Sequence, residues 1–279
     1  MKIAVIGVGL IGGSMALALK EKGIAQKIIG VDADPLHQKK ALELVLVDEI
    51  NELDEAVAKA ELIILAIPVI AAENLLEKIL DKIDRQVVID VGSTKRSICA
   101  VAAKHKNGNR FVATHPMWGT EYTGPEAAVK NAFKNKAVVI CNKEASDAAA
   151  VEVVEKIYRA FAMHILYMSA EAHDLHAAYI SHISHITSFA LANTVLEKEK
   201  EDDAIFEMSS GGFESTVRLA KSSAAMWAPI FMQNKENVLD VLNEHITQLR
   251  KFKSCLEKEN YEYLTELIEN ANKIKRILK

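Results

Sequence analysis

The chain has 279 residues, 50% hydrophobic and 26% charged, with a formal net charge of −4. That length holds one large or two moderate domains, and its lysines and glutamates are interspersed rather than gathered into a basic stripe, which excludes nucleic acid as a natural partner. Cys99, Cys141 and Cys255 are odd in number and in no CxxC spacing, so neither a disulfide framework nor a zinc knuckle is indicated, and a reducing cytoplasm is expected.

At the N-terminus an apolar β-type run, Ile3 to Ile6, enters the spacing Gly7, Gly9, Gly12 and then a helix-forming stretch. A dinucleotide site requires glycine at the tight turn, at the approach of backbone to pyrophosphate, and where helix packs on strand, with the phosphates at the helix N-terminus. The second run, Lys27 to Val31, ends in Asp32, 20 residues past Gly12, where an acid meets the ribose hydroxyls. A secretory leader is a rival for the uncharged stretch Ile3 to Leu19. Interrupting glycines, a single preceding lysine and the lack of a small-residue cleavage site argue against it. No other stretch approaches the roughly 18 apolar residues of a membrane span.

Further runs follow at Leu62 to Ile67, Val87 to Val91, Phe111 to Thr114, Ala137 to Cys141 and His164 to Tyr167, separated by helical patterns. This alternation predicts a largely parallel sheet covered by helices, its earlier strands buried on both faces. After Ser169, a plausible helix N-cap, the pattern is helical to the end, and Leu264, Leu267, Ile268, Ala271, Ile274 and Leu278 follow one face of the last helix. The run EKEKEDD at 197–203 reads as a solvated helix end and loop. The expected division is an α/β dinucleotide-binding domain over 1–168 and an all-α domain over 169–279. The helical region reads as substrate wall and homodimer contact, with a self-contained bundle on a monomer as its rival.

Three polar clusters carry candidate chemistry. In DVGSTK, Asp90 to Lys95, Ser93 offers a hydroxyl beside a nicotinamide, or Ser93 or Thr94 simply caps the next helix. In ATHPMWGTE, Ala113 to Glu121, His115 comes directly off a strand and suits general-base work at neutral pH. The third is HDLHAAYISHISH, where Asp174, Ala178, Ser181 and His185 are spaced by four, three and four, with His182 adjoining. That helical face should line a wet pocket; a solvated or core face and a metal site are its rivals, and no HExxH pattern supports a metal. Arg218, near Gly211 and Gly212, has the planar fork that suits a carboxylate but is equally a surface residue. Trp227 and Phe231 read as core.

Six ordered motifs bear a closer comparison: GxGLIGGS at 7–14, DVGSTK, HPMWGTE, HDxxxxxxSHxxH at 173–185, GFxxxxRLA at 212–220 and MWxxIFxxN at 226–234. Over essentially its whole length the chain resembles the prephenate dehydrogenase family of tyrosine biosynthesis, with arogenate dehydrogenase as the close relative. The resemblance implies a Rossmann domain followed by a helical dimerisation domain, and NAD-dependent oxidative decarboxylation of a cyclohexadienol, with no metal. It implies that His115 takes the ring hydroxyl's proton, that Ser93 orients that hydroxyl and the nicotinamide, and that Arg218 clamps a carboxylate. Thr120, His182 and His185 become pocket residues, and Glu121 and Asp174 members of the polar network around them. Gly7, Gly9, Leu10, Ile11 and Gly12 hold the cofactor, while Asp32 holds the adenosine ribose and repels a 2′-phosphate, favouring NAD over NADP. Val217 departs from the family's usual threonine, at the cost of a secondary hydrogen bond. No fused chorismate mutase or ACT region is expected. A 3-hydroxyacid dehydrogenase is the rival enzyme, but it relies on a helix lysine that the 174–185 face lacks; a catalytically silent NAD sensor is the rival from another class.

Overall fold

The computed structural model describes residues 1–199 and 204–277; the end of the charge run, 200–203, and Leu278 lie outside the described residues. Eight strands form one sheet: β1 (Lys2–Ile6), β2 (Lys27–Val31), β3 (Glu49–Ile50), β4 (Leu62–Leu65), β5 (Val87–Asp90), β6 (Phe111–Pro116), β7 (Ala137–Cys141) and β8 (His164–Met168). Their order is β3-β2-β1-β4-β5-β6-β7-β8, parallel throughout except for the antiparallel pair β6·β7. Two-residue β3 is too short to leave a pattern in sequence.

The helices preceding β8 are α1 (Leu10–Glu21), α2 (Pro35–Glu43), α3 (Leu53–Lys59), α4 (Val69–Leu80), α5 (Arg96–Lys104) and α6 (Ala148–Ala160). Because successive strand residues point to opposite faces, Ile3 and Val5 enter one core with Met15 and Leu19 of α1 and Val154 and Ile157 of α6. Ala4 and Ile6 enter the other core with Ala56, Leu76 and Ile98 of α3, α4 and α5. Strands buried on both faces explain the uninterrupted Val/Ile/Leu runs. Strand order reverses at β1/β4, so a crevice opens at the carboxyl ends of those strands, where α/β sheets bind ligands.

Beyond the sheet come α7 (Ala170–Ala177), a π-helical turn (Ala178–His182), α8 (Ile183–Glu199), α9 (Ala204–Glu207), α10 (Gly211–Val217), α11 (Ala224–Gln233), α12 (Lys235–Glu257) and α13 (Tyr261–Asn272). Ser169 caps α7 by accepting from the Ala172 N–H. The chain forms two compact units, Met1–Asn234 and Lys235–Lys279. Strand character ends at Met168, yet helices through α11 belong with the sheet, because α7 packs on α5 and β7, and α11 on α4. In the second unit α12 packs on α13, whose start is capped by the Asn260 side chain. Ile268 and Ile274, on the apolar stripe read along the last helix, are 49% and 52% exposed. Among the described residues no helix is long and apolar enough to cross a membrane.

Candidate active site

The glycine turn has the shape a dinucleotide requires. Gly7 sits at φ +92°, and a Cβ there would lie 2.4 Å from the Ala66 carbonyl oxygen. A Cβ on Gly12 would lie 1.9 Å from the Gly7 oxygen, so α1 packs on β1 only with glycine. At Gly9 the space is open, with nothing nearer than 3.9 Å, and α1 begins there with no side-chain cap. An uncapped helix start facing open space is a ready anion site. Asp32 stands at the end of β2, its carboxylate fixed by the Val8 N–H at 2.9 Å and the Asp34 N–H at 3.0 Å. The chain therefore fits the pyrophosphate and ribose of NAD with the residues the glycine motif picked out.

Leu10 and Ile11 of that turn border a cleft of about 440 Å³, whose wall also includes Ser93, His115, Thr120, Ser181, His185, Arg218 and Trp227. His115 lies within β6, paired with Val139, rather than beyond the strand's end as expected, because antiparallel β7 extends the ladder to Pro116. Behind it is a buried ion pair. Lys95, fully buried, donates from Nζ to Asp90 and to the Thr114 carbonyl at 2.8 Å, while Asp90 also accepts from the Gly92 N–H at 2.9 Å. Thr114 Oγ1 and the Tyr158 hydroxyl are 2.6 Å apart, which closes the network.

His115 Nδ1 lies 2.8 Å from His173 Nε2, and His173 Nδ1 lies 2.8 Å from Asp174 Oδ1. Burial first, and then the field of the Lys95 ammonium, holds the His115 imidazole well below its ordinary pKa, so the ring is neutral at pH 7. Burial opposes ionisation of Asp174, but hydrogen bonds from His173, Arg96 and Lys95 outweigh it and hold that carboxyl below its ordinary range.

The structure overturns the capping alternative for Ser93 and Thr94 and the single polar face expected of the third cluster. Neither Ser93 nor Thr94 caps α5: the helix start is served by Asp174, which accepts from the Lys95 and Arg96 N–H groups at 2.8 and 2.9 Å, and Thr94 instead donates to Gln233 at 2.6 Å. Asp174, Ser181, His182 and His185 do not share one wet face. The π turn inserts a wider step between them, so Asp174 is sealed under α5 while Ser181 and His185 reach the cleft. His182 is buried outside the cleft wall, its Nδ1 3.1 Å from Asn234 Nδ2 and its ring edge-on to Trp227; burial first, then the neighbouring histidines, lower its pKa to about 4 against the pull of Asp174.

His185 donates from Nδ1 to the Ser181 carbonyl at 3.0 Å, and its ring stacks on Trp227 at 3.4 Å between centroids. Trp227, expected in the core, is buried yet also forms cleft wall. Arg218 is half exposed, and its fork reaches Glu121 at 3.0 Å, so Glu121 meets the site through Arg218 rather than directly. Its turn is tied to α8 by Ser188, which donates to the Thr216 carbonyl and accepts from the Ala220 N–H, both at 3.0 Å. Sequence reasoning passed over Ser188 and gave no role to His173 or Lys95. The His173-Asp174 dipeptide and the Asp90…Lys95 spacing were the available signals, without a visible partner for either.

A glycine turn at a sheet's switch point, an acid on the second strand and a neutral histidine opening into the same crevice define a dinucleotide-dependent oxidoreductase. Comparison with known proteins narrows this. Residues 15–167 match the nucleotide-binding domain model of prephenate dehydrogenase, and 169–270 its dimerization domain model. The chain is 32% identical to a prephenate dehydrogenase of Bacillus subtilis over 96% of its own length and 74% of that protein's. It superposes on the crystal structure of Aquifex aeolicus prephenate dehydrogenase with hydroxyphenyl propionate and NAD+ at a TM-score of 0.90, with 30% identity over 99% and 97% of the two chains. Synechocystis arogenate dehydrogenase gives a TM-score of 0.76 at 26% identity over 100% of both chains. The chain belongs to the prephenate dehydrogenase family, the NAD-dependent oxidoreductases of tyrosine biosynthesis.

Proposed function

We propose that this cleft oxidises and decarboxylates prephenate, with His115 as proton acceptor. The observation that carries the reading is that His115, neutral and held through Nδ1, makes no hydrogen bond from Nε2 to the described protein while it borders the same cleft as Ser93 and Arg218. When bound, NAD supplies the hydride acceptor, and loss of carbon dioxide from the oxidised ring leaves an aromatic phenol. Nε2 takes the proton of the ring hydroxyl, and the Ser93 hydroxyl holds that oxygen in line. Arg218 exchanges Glu121 for a substrate carboxylate, a bidentate contact that its guanidinium suits. Thr120 and His185 shape the pocket between these groups. Asp32, already satisfied by two backbone N–H groups, presents its negative charge to the ribose and disfavours a 2′-phosphate.

Arogenate carries an ammonium in place of prephenate's side-chain keto group. Two relatives at 32% and 30% identity are prephenate dehydrogenases, which supports the keto acid as substrate. The exposed Ile268 and Ile274 support a homodimer through the helical region. The cysteine usage is that of a reducing cytoplasm. The test is NADH formation by the purified chain with NAD and either prephenate or arogenate, repeated with His115→Asn. Turnover on prephenate that falls by about 10²-fold or more in the variant, with NAD affinity unchanged, is expected. Turnover on arogenate alone reverses the substrate assignment, and near-normal turnover in the variant removes His115 from its role.

A further inference from the structure

Asp174 is a fixed acceptor, and it dictates the proton positions in the chain of rings that ends at the cleft. Its two oxygens already accept from the backbone N–H groups of Lys95 and Arg96, and a carboxylate has no proton of its own to give. The nitrogen facing it, His173 Nδ1 at 2.8 Å, is therefore the donor. In a neutral His173 the other nitrogen, Nε2, then has only a lone pair. That lone pair lies 2.8 Å from His115 Nδ1, which must carry the hydrogen between them. His115 is left with an unprotonated Nε2.

We propose that His173, anchored by Asp174, is a positioning residue that holds His115 in the Nδ1–H tautomer, so that Nε2 is the ring atom offered to substrate. This rests on the reading of His115 as proton acceptor. Without such a partner an imidazole distributes its proton over both nitrogens, and the wrong tautomer places an N–H where a lone pair is needed. A protonated His173 would donate from both nitrogens and reverse the order, turning His115 Nε2 into a donor. The Lys95 ammonium disfavours a further positive charge on His115. Both His173 and Asp174 are buried at 2% exposure, so water does not compete for either bond.

The experiment is ¹⁵N NMR of the histidine ring nitrogens in the full chain with NAD bound, with the His115 resonances identified by their loss in His115→Asn. At pH 7 the wild type should show protonated Nδ1 and bare Nε2. His173→Leu should give a tautomer mixture and lower kcat by at least about tenfold with KM little changed, whereas His173→Gln, whose Oε1 can accept from Nδ1, should restore the single tautomer and most of kcat. A wild-type ring protonated at Nε2, or an unchanged tautomer in a folded His173→Leu chain, overturns the proposal. Should the leucine variant fail to fold, a folded His173→Gln chain that shows the wrong tautomer overturns it as well. The NMR result needs no turnover: an inactive His115→Asn beside a wrong tautomer defeats the positioning role alone, while an active His115→Asn defeats the acceptor reading itself.

Discussion

The two walls of the cleft are built on different principles. On the sheet side, Asp90, Lys95, Thr114 and Tyr158 are buried and fully engaged, and His115 is held in a strand with a neighbour on its inner nitrogen. On the helical side the principal charge, Arg218, is half in water and paired with a Glu121 that it can release. The side that handles a proton needs fixed geometry, since a small misplacement costs much of the rate. The side that recognises a carboxylate needs a cation whose present partner is exchangeable.

The sharpest way to break this contrast is to remove one charge from each wall. Lys95→Ala leaves Asp90 buried and uncompensated and should cost about 3–5 kcal/mol of unfolding free energy, measured by denaturant titration. Arg218→Ala, losing an exposed pair, should cost about 1 kcal/mol or less. Similar losses for both would mean that the two walls are equally buried in solution.

Acid tests the same contrast more gently. His182 has its folded pKa lowered to about 4, below the unfolded value near 6.5, so as pH falls through that window the unfolded chain binds protons that the folded chain refuses. Its stabilising contribution is complete above the unfolded value and is lost on acidification, by about 2 kcal/mol between pH 7 and pH 5. Asp174, His173 and His185 surround it, and depressed His115 and His185 add in the same direction. Thermal melts at the two pH values should differ less in His182→Gln than in the wild type; an equal difference would place the titration elsewhere.

Smallest in effect are changes to the recognition wall. Arg218→Lys retains charge but loses the fork, and should raise KM for substrate by about tenfold with kcat nearly intact. Glu121→Gln should shift KM in the opposite direction, by about twofold, since the competing carboxylate is gone. Steady-state kinetics separates these outcomes, and an unchanged KM in Arg218→Lys would remove the carboxylate clamp.

What sequence made legible is what is local. The turn Gly7 to Gly12, the buried strands, Asp32 at the end of β2 and the Ser169 cap each depend on a few consecutive residues and on steric rules. His115 was legible because a histidine at a strand end beside a glycine loop is an uncommon placement. The cap of α5 was not, because its acceptor, Asp174, lies 79 residues from Lys95 in the chain. Ser188 was missed for the same reason, its partners being 28 and 32 residues away. The helical histidine face was misread because spacings of three and four assume an uninterrupted α-helix, and nothing in AYISH announces a π turn.

That turn also sets what this stretch can tolerate. A wide turn holds one residue more than a regular helix of the same length, and deleting that residue would swing α8 by about 100° relative to α7 and draw it back by about 1.5 Å. His185 would then leave the indole it stacks on, while Asp174 stayed beneath α5. Between these two anchors the chain can exchange side chains more freely than it can lose a residue: here the number of residues is itself the constraint, and a single-codon deletion would do more harm than most substitutions.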